Sequence, residues 1–253
     1  MLPDRKAVTV VIPARYASTR FPGKPLAELA GKPLIQHVYE QASRVPGVTQ
    51  VLVATDDPRI QQTVEQFGGL VWMIDTPCRT GSDRVAEVAR CSDSPVFVNL
   101  QADEILLAPA LMTDLIDSFL TSDAEMGTLK RQITATEDFH RSSVVKVVTD
   151  QQGRALYFSR APIPHTRNGG PGEPPKELFY LHLGVYIYLR ETLLRFAELP
   201  SGVLEKTEQL EQLRALEHGI PIRVWETAHQ SLRIDTPEDL EAAQRQWDRW
   251  VVS

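Results

Sequence analysis

The residues best suited to chemistry gather in 10-VVIPARYASTRFPGKPL-26, where Ala14, Arg15, Ser18, Arg20, Gly23 and Lys24 share one short stretch. Three cations, small hydroxyls and a glycine are what a polyphosphate requires. Basic side chains and backbone N–H groups neutralise its charge, and glycine lets the main chain come close. The spacing is not G-x-x-x-x-G-K-[ST], so an ordinary P-loop ATPase is disfavoured. A second candidate is Asp103 in 101-QADE-104, directly after the apolar run 95-PVFVNL-100. An acid just past a buried strand stands where a metal-bound nucleotide lies in a parallel sheet. Mg²⁺ takes one or two carboxylates beside phosphate oxygens and water, so a single well-placed aspartate can anchor it.

These side chains need elements to position them. The apolar run Val8 to Ile12 reads as a buried first strand that breaks at Pro13, and a helix is expected from about Lys32-Pro33. Strand 50–55, a helix starting at Asp57-Pro58, strand 71–74, a helix around Val85 to Ala89, strand 95–100 and a helix through Leu111 and Phe119 follow. Such alternation predicts βαβ units and a parallel sheet with ligands at the strands' carboxyl ends. From about 126 the rhythm changes to short strands at 126–133, 144–149, 154–158 and 180–188, an inserted mixed or antiparallel subregion. The Gly/Pro-rich segment 165–177 reads as a loop or lid. Two helices, 204–218 and 237–249, flank a strand at 222–227. The expectation is one domain over 1–253. Residues 1–125 serve mainly the nucleotide, and 126–230 mainly the second substrate and dimerisation.

The formal charge of −6 argues against a nucleic-acid coat or a membrane-surface binder. Two cysteines, Cys78 and Cys91, make neither a disulfide framework nor a zinc site. No apolar run approaches the ~20 residues of a membrane span. The N-terminal residues lack a signal core, so the expected location is cytoplasmic.

The run I-P-A-R-Y-A-S-T-R-F-P-G-K-P-L resembles the signature of the 3-deoxy-manno-octulosonate (Kdo) cytidylyltransferases, and more loosely the nucleotidyltransferases that activate sugars. Further blocks extend the resemblance over nearly the whole chain. It implies a three-layer, mostly parallel Rossmann-like α/β sheet of the nucleotide-diphospho-sugar transferase type, with the mixed insertion. It implies CTP and a sugar acid as partners, Mg²⁺ as cofactor, a homodimer, and a role in lipopolysaccharide biosynthesis. A related sugar acid, or a binder without turnover, is the alternative.

The resemblance assigns Ala14, Arg15, Ser18, Arg20 and Lys24 to the triphosphate. The block 101-QADE-104 is similar to the family's Q-G-D-E-P, in which the glutamine meets nucleotide and the aspartate metal, here Gln101 and Asp103, with Ala102 and Ile105 as departures. In 232-LRIDTPEDL-240, Asp235 reads locally as a helix-start carboxylate, whereas the family's V-D-T-P-E-D-L gives that aspartate to Mg²⁺. Thr80, Gly81 and Ser82 match a block that holds the polar edge of the base, beside the plain alternative of an N-cap at Ser82. Arg84 has two open readings, facing phosphate or pairing with an acid. On the sugar side, Arg160 is placed to clamp a carboxylate by paired hydrogen bonds. His182 and Tyr186 share a strand face, and the family's H-L-G-x-Y makes them sugar ligands, with Leu181 departing from the basic residue expected there. Glu208 and Gln212, read as i and i+4 on the polar face of helix 204–218, complete the set, with Glu211 a rival to Glu208.

Overall fold

The computed structural model describes residues 7–17, 21–105, 109–134, 136–167 and 179–251. In chain order the elements are β1 (Val8–Ala14), β2 (Glu28–Leu29), β3 (Lys32–Pro33), α1 (Leu34–Ala42), β4 (Val48–Thr55), α2 (Pro58–Gln66), β5 (Val71–Met73), α3 (Gly81–Arg90), β6 (Val96–Asn99) and α4 (Pro109–Leu120). They continue with β7 (Met126–Gln132), α5 (Thr136–His140), β8 (Lys146–Thr149), β9 (Ala155–Ser159), β10 (Tyr180–Leu189), α6 (Arg190–Glu198), α7 (Val203–Glu208), α8 (Gln212–Glu217), β11 (Arg223–Glu226) and α9 (Pro237–Val251). Two compact units result, one from the chain up to Thr113 together with Gln230 onward, the other from Asp114 to His229.

In the first unit β1 is the central strand, paired in parallel with β4 on one side and β6 on the other. β5 extends the sheet beyond β4. Every residue of β1 is buried, as a strand covered on both faces requires, and its sequence is accordingly apolar without alternation. The strand runs on through Pro13 to Ala14, beyond the break expected at Pro13. Pairing with β6 ends at Val11–Asn99, while pairing with β4 continues to Ala14–Thr55. Pro13 therefore follows the last β6 contact, where its missing N–H costs no ladder bond.

In the second unit β7 pairs antiparallel with β10 and in parallel with β11. β8 pairs antiparallel with both β10 and β9. The mixed character expected after residue 126 is present. A register shift in β10 between Leu183 and Tyr186 still sets His182 opposite Lys130 and Tyr186 opposite Thr128. Lys130 and Thr128 are two apart on β7, so His182 and Tyr186 do lie on one face, with ring centroids 5.3 Å apart.

The single helix expected over 204–218 is instead two, α7 and α8. Gln209 ends the first in the left-handed region, at φ 51 and ψ 48. The reason is an ion pair: Arg214, fully buried, donates to both oxygens of Glu205 at 2.9 and 2.6 Å. These residues are nine positions apart, and a continuous helix would hold them about 13 Å from each other. Only a break lets the acid and base meet. Glu208 and Gln212 consequently stand on separate helices rather than one turn apart, and Gln212 is buried instead of facing solvent.

Removing one partner of a buried pair strands the other charge. Glu205→Ala is expected to lose about 3–5 kcal/mol of stability in urea unfolding. Glu205→Leu combined with Arg214→Met should recover most of that loss.

Candidate functional site

The cationic loop leaves β1 at Ala14, buried, and Arg15, exposed. Ser18 and Arg20 lie outside the described residues. The neck of the loop is closed by the Gly23 N–H, which donates to the Tyr16 carbonyl at 2.9 Å. Gly23 has φ 71, and a Cβ there would sit 3.1 Å from the Tyr16 ring. Both facts favour glycine. The Arg59 guanidinium covers the Tyr16 ring, 3.2 Å from its centroid.

Lys24 follows this neck and reaches across the first unit. Its ammonium donates to Asp103 Oδ2 at 2.6 Å and to the Ile234 carbonyl at 3.0 Å, and lies 3.6 Å from Asp235 Oδ1. Arg233 approaches the same acids, with Nε 3.3 Å from Asp103 Oδ2 and Nη2 3.3 Å from Asp235 Oδ1. Two acids remote in sequence converge because the segment after β6 runs antiparallel to the one before α9. Ile234 N donates to Asp103 O, Ile105 N donates to Leu232 O, and Glu104 bridges Arg233.

The cap of α9 is formed without the Asp235 side chain. Asp239 N donates to Thr236 Oγ1, and Asp239 Oδ2 accepts from the N–H groups of Asp235 and Thr236. The Asp235 side chain is therefore not the helix-start cap of the local reading.

Burial works against an ionised Asp103, but Arg233 and Lys24 outweigh it and hold its pKa below the ordinary value. Burial likewise opposes the charge of Arg233, yet Asp103, Asp235 and Glu104 raise its pKa. For Glu104 the balance falls the other way. Burial and the neighbouring Asp103 carboxylate push it up to about 7, against the opposing Arg233 charge and a hydrogen bond with Ser231. Its Oε2 has no hydrogen-bond partner among the described residues.

Arg233 was not read from the sequence as functional. The available signal was alternation in L-R-I-D: Ile234 is fully buried, so Arg233 and Asp235 project together on the other side. Lys24 and Arg233 stand between Asp103 and Asp235.

Beside these residues, Gln101 Nε2 donates to Asn99 Oδ1, and Asn99 Nδ2 donates to Ser82 Oγ. A Cβ on Gly81 would lie 3.4 Å from both Gln101 Nε2 and the Pro13 ring. Thr80, not Ser82, caps α3, exchanging hydrogen bonds with Asp83. Ser82 is thereby spared for the buried amide network. Arg84 pairs with Asp56 at 2.7 Å, so of its two readings the acid partner is the one observed.

The residues expected to meet a sugar are in the second unit. Glu208 accepts from Ser159 Oγ at 2.6 Å and Arg160 N at 2.9 Å. The Arg160 guanidinium donates to the carbonyls of Glu208, Ser142 and Gln209. A buried lysine that sequence reasoning missed, Lys146, gives its ammonium to the carbonyls of Arg141, Val144 and Arg160. Its signal was weak, a lone lysine in an apolar strand. Thr128 Oγ1 stands within 3.0 Å of two carbonyls and 3.1 Å from His182 Nε2. The hydroxyl's one proton goes to a carbonyl, so the arrangement assigns the imidazole proton to Nε2.

Tyr186 Oη and Gln212 Nε2 are buried with no hydrogen-bond partner among the described residues. Burial raises the Tyr186 pKa well above its ordinary value, so it remains a neutral donor, with Glu211 near enough to add to the shift. Unpaired buried donors are costly, and a polyhydroxylated ligand would satisfy both. Of segment 165–177, residues 168–177 lie outside the described residues.

Because the folded pKa of Glu104, about 7, exceeds its ordinary 4.5, the folded state binds more protons between those values. Stability should fall as pH rises through that window, by about 3 kcal/mol in total. Urea unfolding at pH 5, 6, 7 and 8 checks this, and Glu104→Gln should abolish that fall.

Residues 9–226 match the cytidylyltransferase family. A 3-deoxy-manno-octulosonate cytidylyltransferase of Geobacter sulfurreducens is 50% identical over 241 residues, spanning 92% of this chain and 96% of its own. That of Trichlorobacter lovleyi is 50% identical over 243 residues, spanning 93% and 96%. Among solved structures, a CMP:2-keto-3-deoxy-manno-octonic acid synthetase complexed with CTP matches with TM-score 0.89 at 41% identity, covering 96% of this chain and 99% of the other. A 4-diphosphocytidyl-2C-methyl-D-erythritol synthase from Anaerococcus prevotii, 13% identical with TM-score 0.63 over 97% of this chain and 98% of its own, shares the fold.

Proposed function

The chain belongs to the cytidylyltransferase family, and we infer that it is a nucleotidyltransferase joining CTP to 3-deoxy-manno-octulosonate, with release of pyrophosphate. The observation that carries this reading is the convergence of Lys24, Asp103 and Asp235 beside a cationic loop, in a chain half identical to enzymes of that name.

In the reaction the sugar's anomeric oxygen attacks the α-phosphorus. One P–O bond forms to the sugar, the bond to the β-phosphate oxygen breaks, and the hydroxyl proton passes to solvent. Arg15, Arg20 and Lys24 would hold the triphosphate and offset the charge that develops on the leaving group. Thr80, Gly81, Ser82 and Gln101 would meet the base. Arg160, His182, Tyr186, Gln212 and either Glu208 or Glu211 would orient the sugar acid, and orientation supplies much of the rate in such transfers. Arg160 is held by three carbonyls, which fixes the direction in which its remaining N–H groups point.

The donor set suits Mg²⁺: two carboxylates, one with a buried oxygen, Asp103 Oδ1, that has no hydrogen-bond partner among the described residues. No group of three or more His, Cys, Asp or Glu side chains among the described residues is arranged to hold a metal. Asp103 and Asp235 would therefore share the cation with phosphate oxygens and water. When bound, it would lower the pKa of the attacking hydroxyl and neutralise phosphate charge.

A homodimer, a cytoplasmic location and a role in lipopolysaccharide biosynthesis complete the proposal. Leu156 and Val203, 61% and 74% exposed on the second unit, supply apolar surface for a second copy. No helix among the described residues is long and apolar enough to cross a membrane.

Incubation with CTP, Mg²⁺ and 3-deoxy-manno-octulosonate should release pyrophosphate. Asp103→Ala and Asp235→Ala should each lower kcat by at least about 100-fold. Turnover that survives both substitutions would overturn the assignment, and turnover only with another sugar acid would relocate the specificity. Tyr186→Phe should raise KM for the sugar acid by roughly 5- to 30-fold while leaving KM for CTP unchanged, the loss of one hydrogen bond to a ligand hydroxyl.

A further inference from the structure

The geometry points to Arg233 as the resident counter-cation of the Asp103–Asp235 pair, a positioning residue that keeps a divalent cation out until nucleotide arrives. The inference rests on the metal assignment above and adds a residue which that assignment does not use.

Three observations carry it. The guanidinium spans both carboxylates, with Nε 3.3 Å from Asp103 Oδ2 and Nη2 3.3 Å from Asp235 Oδ1. Its side chain is 46% exposed, against 11% and 22% for the two acids. It therefore covers them from the solvent side and can swing away without opening the core. Lys24 adds a second cation, 2.6 Å from Asp103 and 3.6 Å from Asp235. Among the described residues the two carboxylates thus face two cations, and Glu104, next to Asp103 in the chain, is buried.

A divalent ion entering this arrangement alone would meet two positive groups at short range, in a partly buried setting where charge is weakly screened. A triphosphate reverses the balance. It brings more negative charge than the metal brings positive, and it offers Lys24 and Arg233 new oxygens to bind. Metal and nucleotide would then enter as one species. Without Arg233 the Asp103–Asp235 pair would lose one of the two cations that face it among the described residues, and the bare ion should bind on its own. The bridge also orients both carboxylates toward a common point before substrate arrives, which lowers the cost of ordering them later.

The test is titration of the nucleotide-free protein with Mn²⁺, followed by electron paramagnetic resonance and by calorimetry, with no turnover involved. Arg233→Ala and Arg233→Gln should bind Mn²⁺ roughly 5- to 30-fold more tightly than the natural protein. Arg233→Lys, which keeps the charge, should stay within about twofold of it. With CTP present, the difference among the four proteins should shrink. Two neutral variants guard against a single misfolded one, and thermal unfolding confirms that each is folded. Affinity unchanged or weaker in both neutral variants would overturn the inference. Asp103→Asn and Asp235→Asn separate the two failures. If they weaken Mn²⁺ binding while the arginine variants do not strengthen it, Arg233 is no gate but the metal assignment stands. If they change nothing, the metal assignment and the gate fall together.

Discussion

Converging carboxylates need positive charge between them. Asp103 and Asp235 share one small region of the first unit, and each is mostly withdrawn from water. Left alone they would repel, and the more buried would take up a proton. Lys24 and Arg233 prevent that, and the pKa of Asp103 is lowered accordingly. The surrounding architecture serves this balance. The neck at Gly23 aims Lys24 inward, the antiparallel contact between 103–105 and 232–234 brings the acids together, and Thr236 and Asp239 cap α9 without the Asp235 side chain. Glu104, beside them and more deeply buried, shows the cost of a charge compensated too little: burial and Asp103 outweigh Arg233, and its pKa climbs to about 7.

The second unit handles buried charge differently. Lys146 has the Glu208 carboxylate near enough to favour its charge, but it gives its donors to three carbonyls, which ties residues 141–144 to Arg160. Arg160 does the same with carbonyls of its own, and Glu208 accepts from Ser159 and from the Arg160 backbone. Charge-assisted hydrogen bonds to backbone are short and directional, so this network holds its loops as a rigid frame. Gln209, with φ 51, lies within it. Strained backbone of this kind persists only where neighbouring contacts determine it, here the Glu205–Arg214 pair and the carbonyl of Gln209 itself, which Arg160 holds. In the same unit, buried polar atoms of Tyr186 and Gln212 have no hydrogen-bond partner among the described residues.

Much of this could be read from the residues. The apolar run of β1, the Asp57-Pro58 start of α2 and the change of rhythm near residue 126 are local signals, governed by burial period and backbone chemistry. Family resemblance then assigned roles to Asp103, Asp235 and Gln101. What escaped was non-local. Nothing near Arg233 says that its guanidinium will lie against an acid in another loop. Nothing around residues 204–218, an unbroken amphipathic pattern, says that a buried Glu205–Arg214 pair will split the helix. The N-caps show the same limit: Thr80 and Thr236 take positions that Ser82 and Asp235 suit equally well by residue type. By itself the sequence determined most of the elements and the family and named the candidate site residues, because propensity, period and motif act over a few neighbouring residues. Only the tertiary structure decided which charges meet, because an ion pair depends on distances through space that the order of residues along a chain does not state.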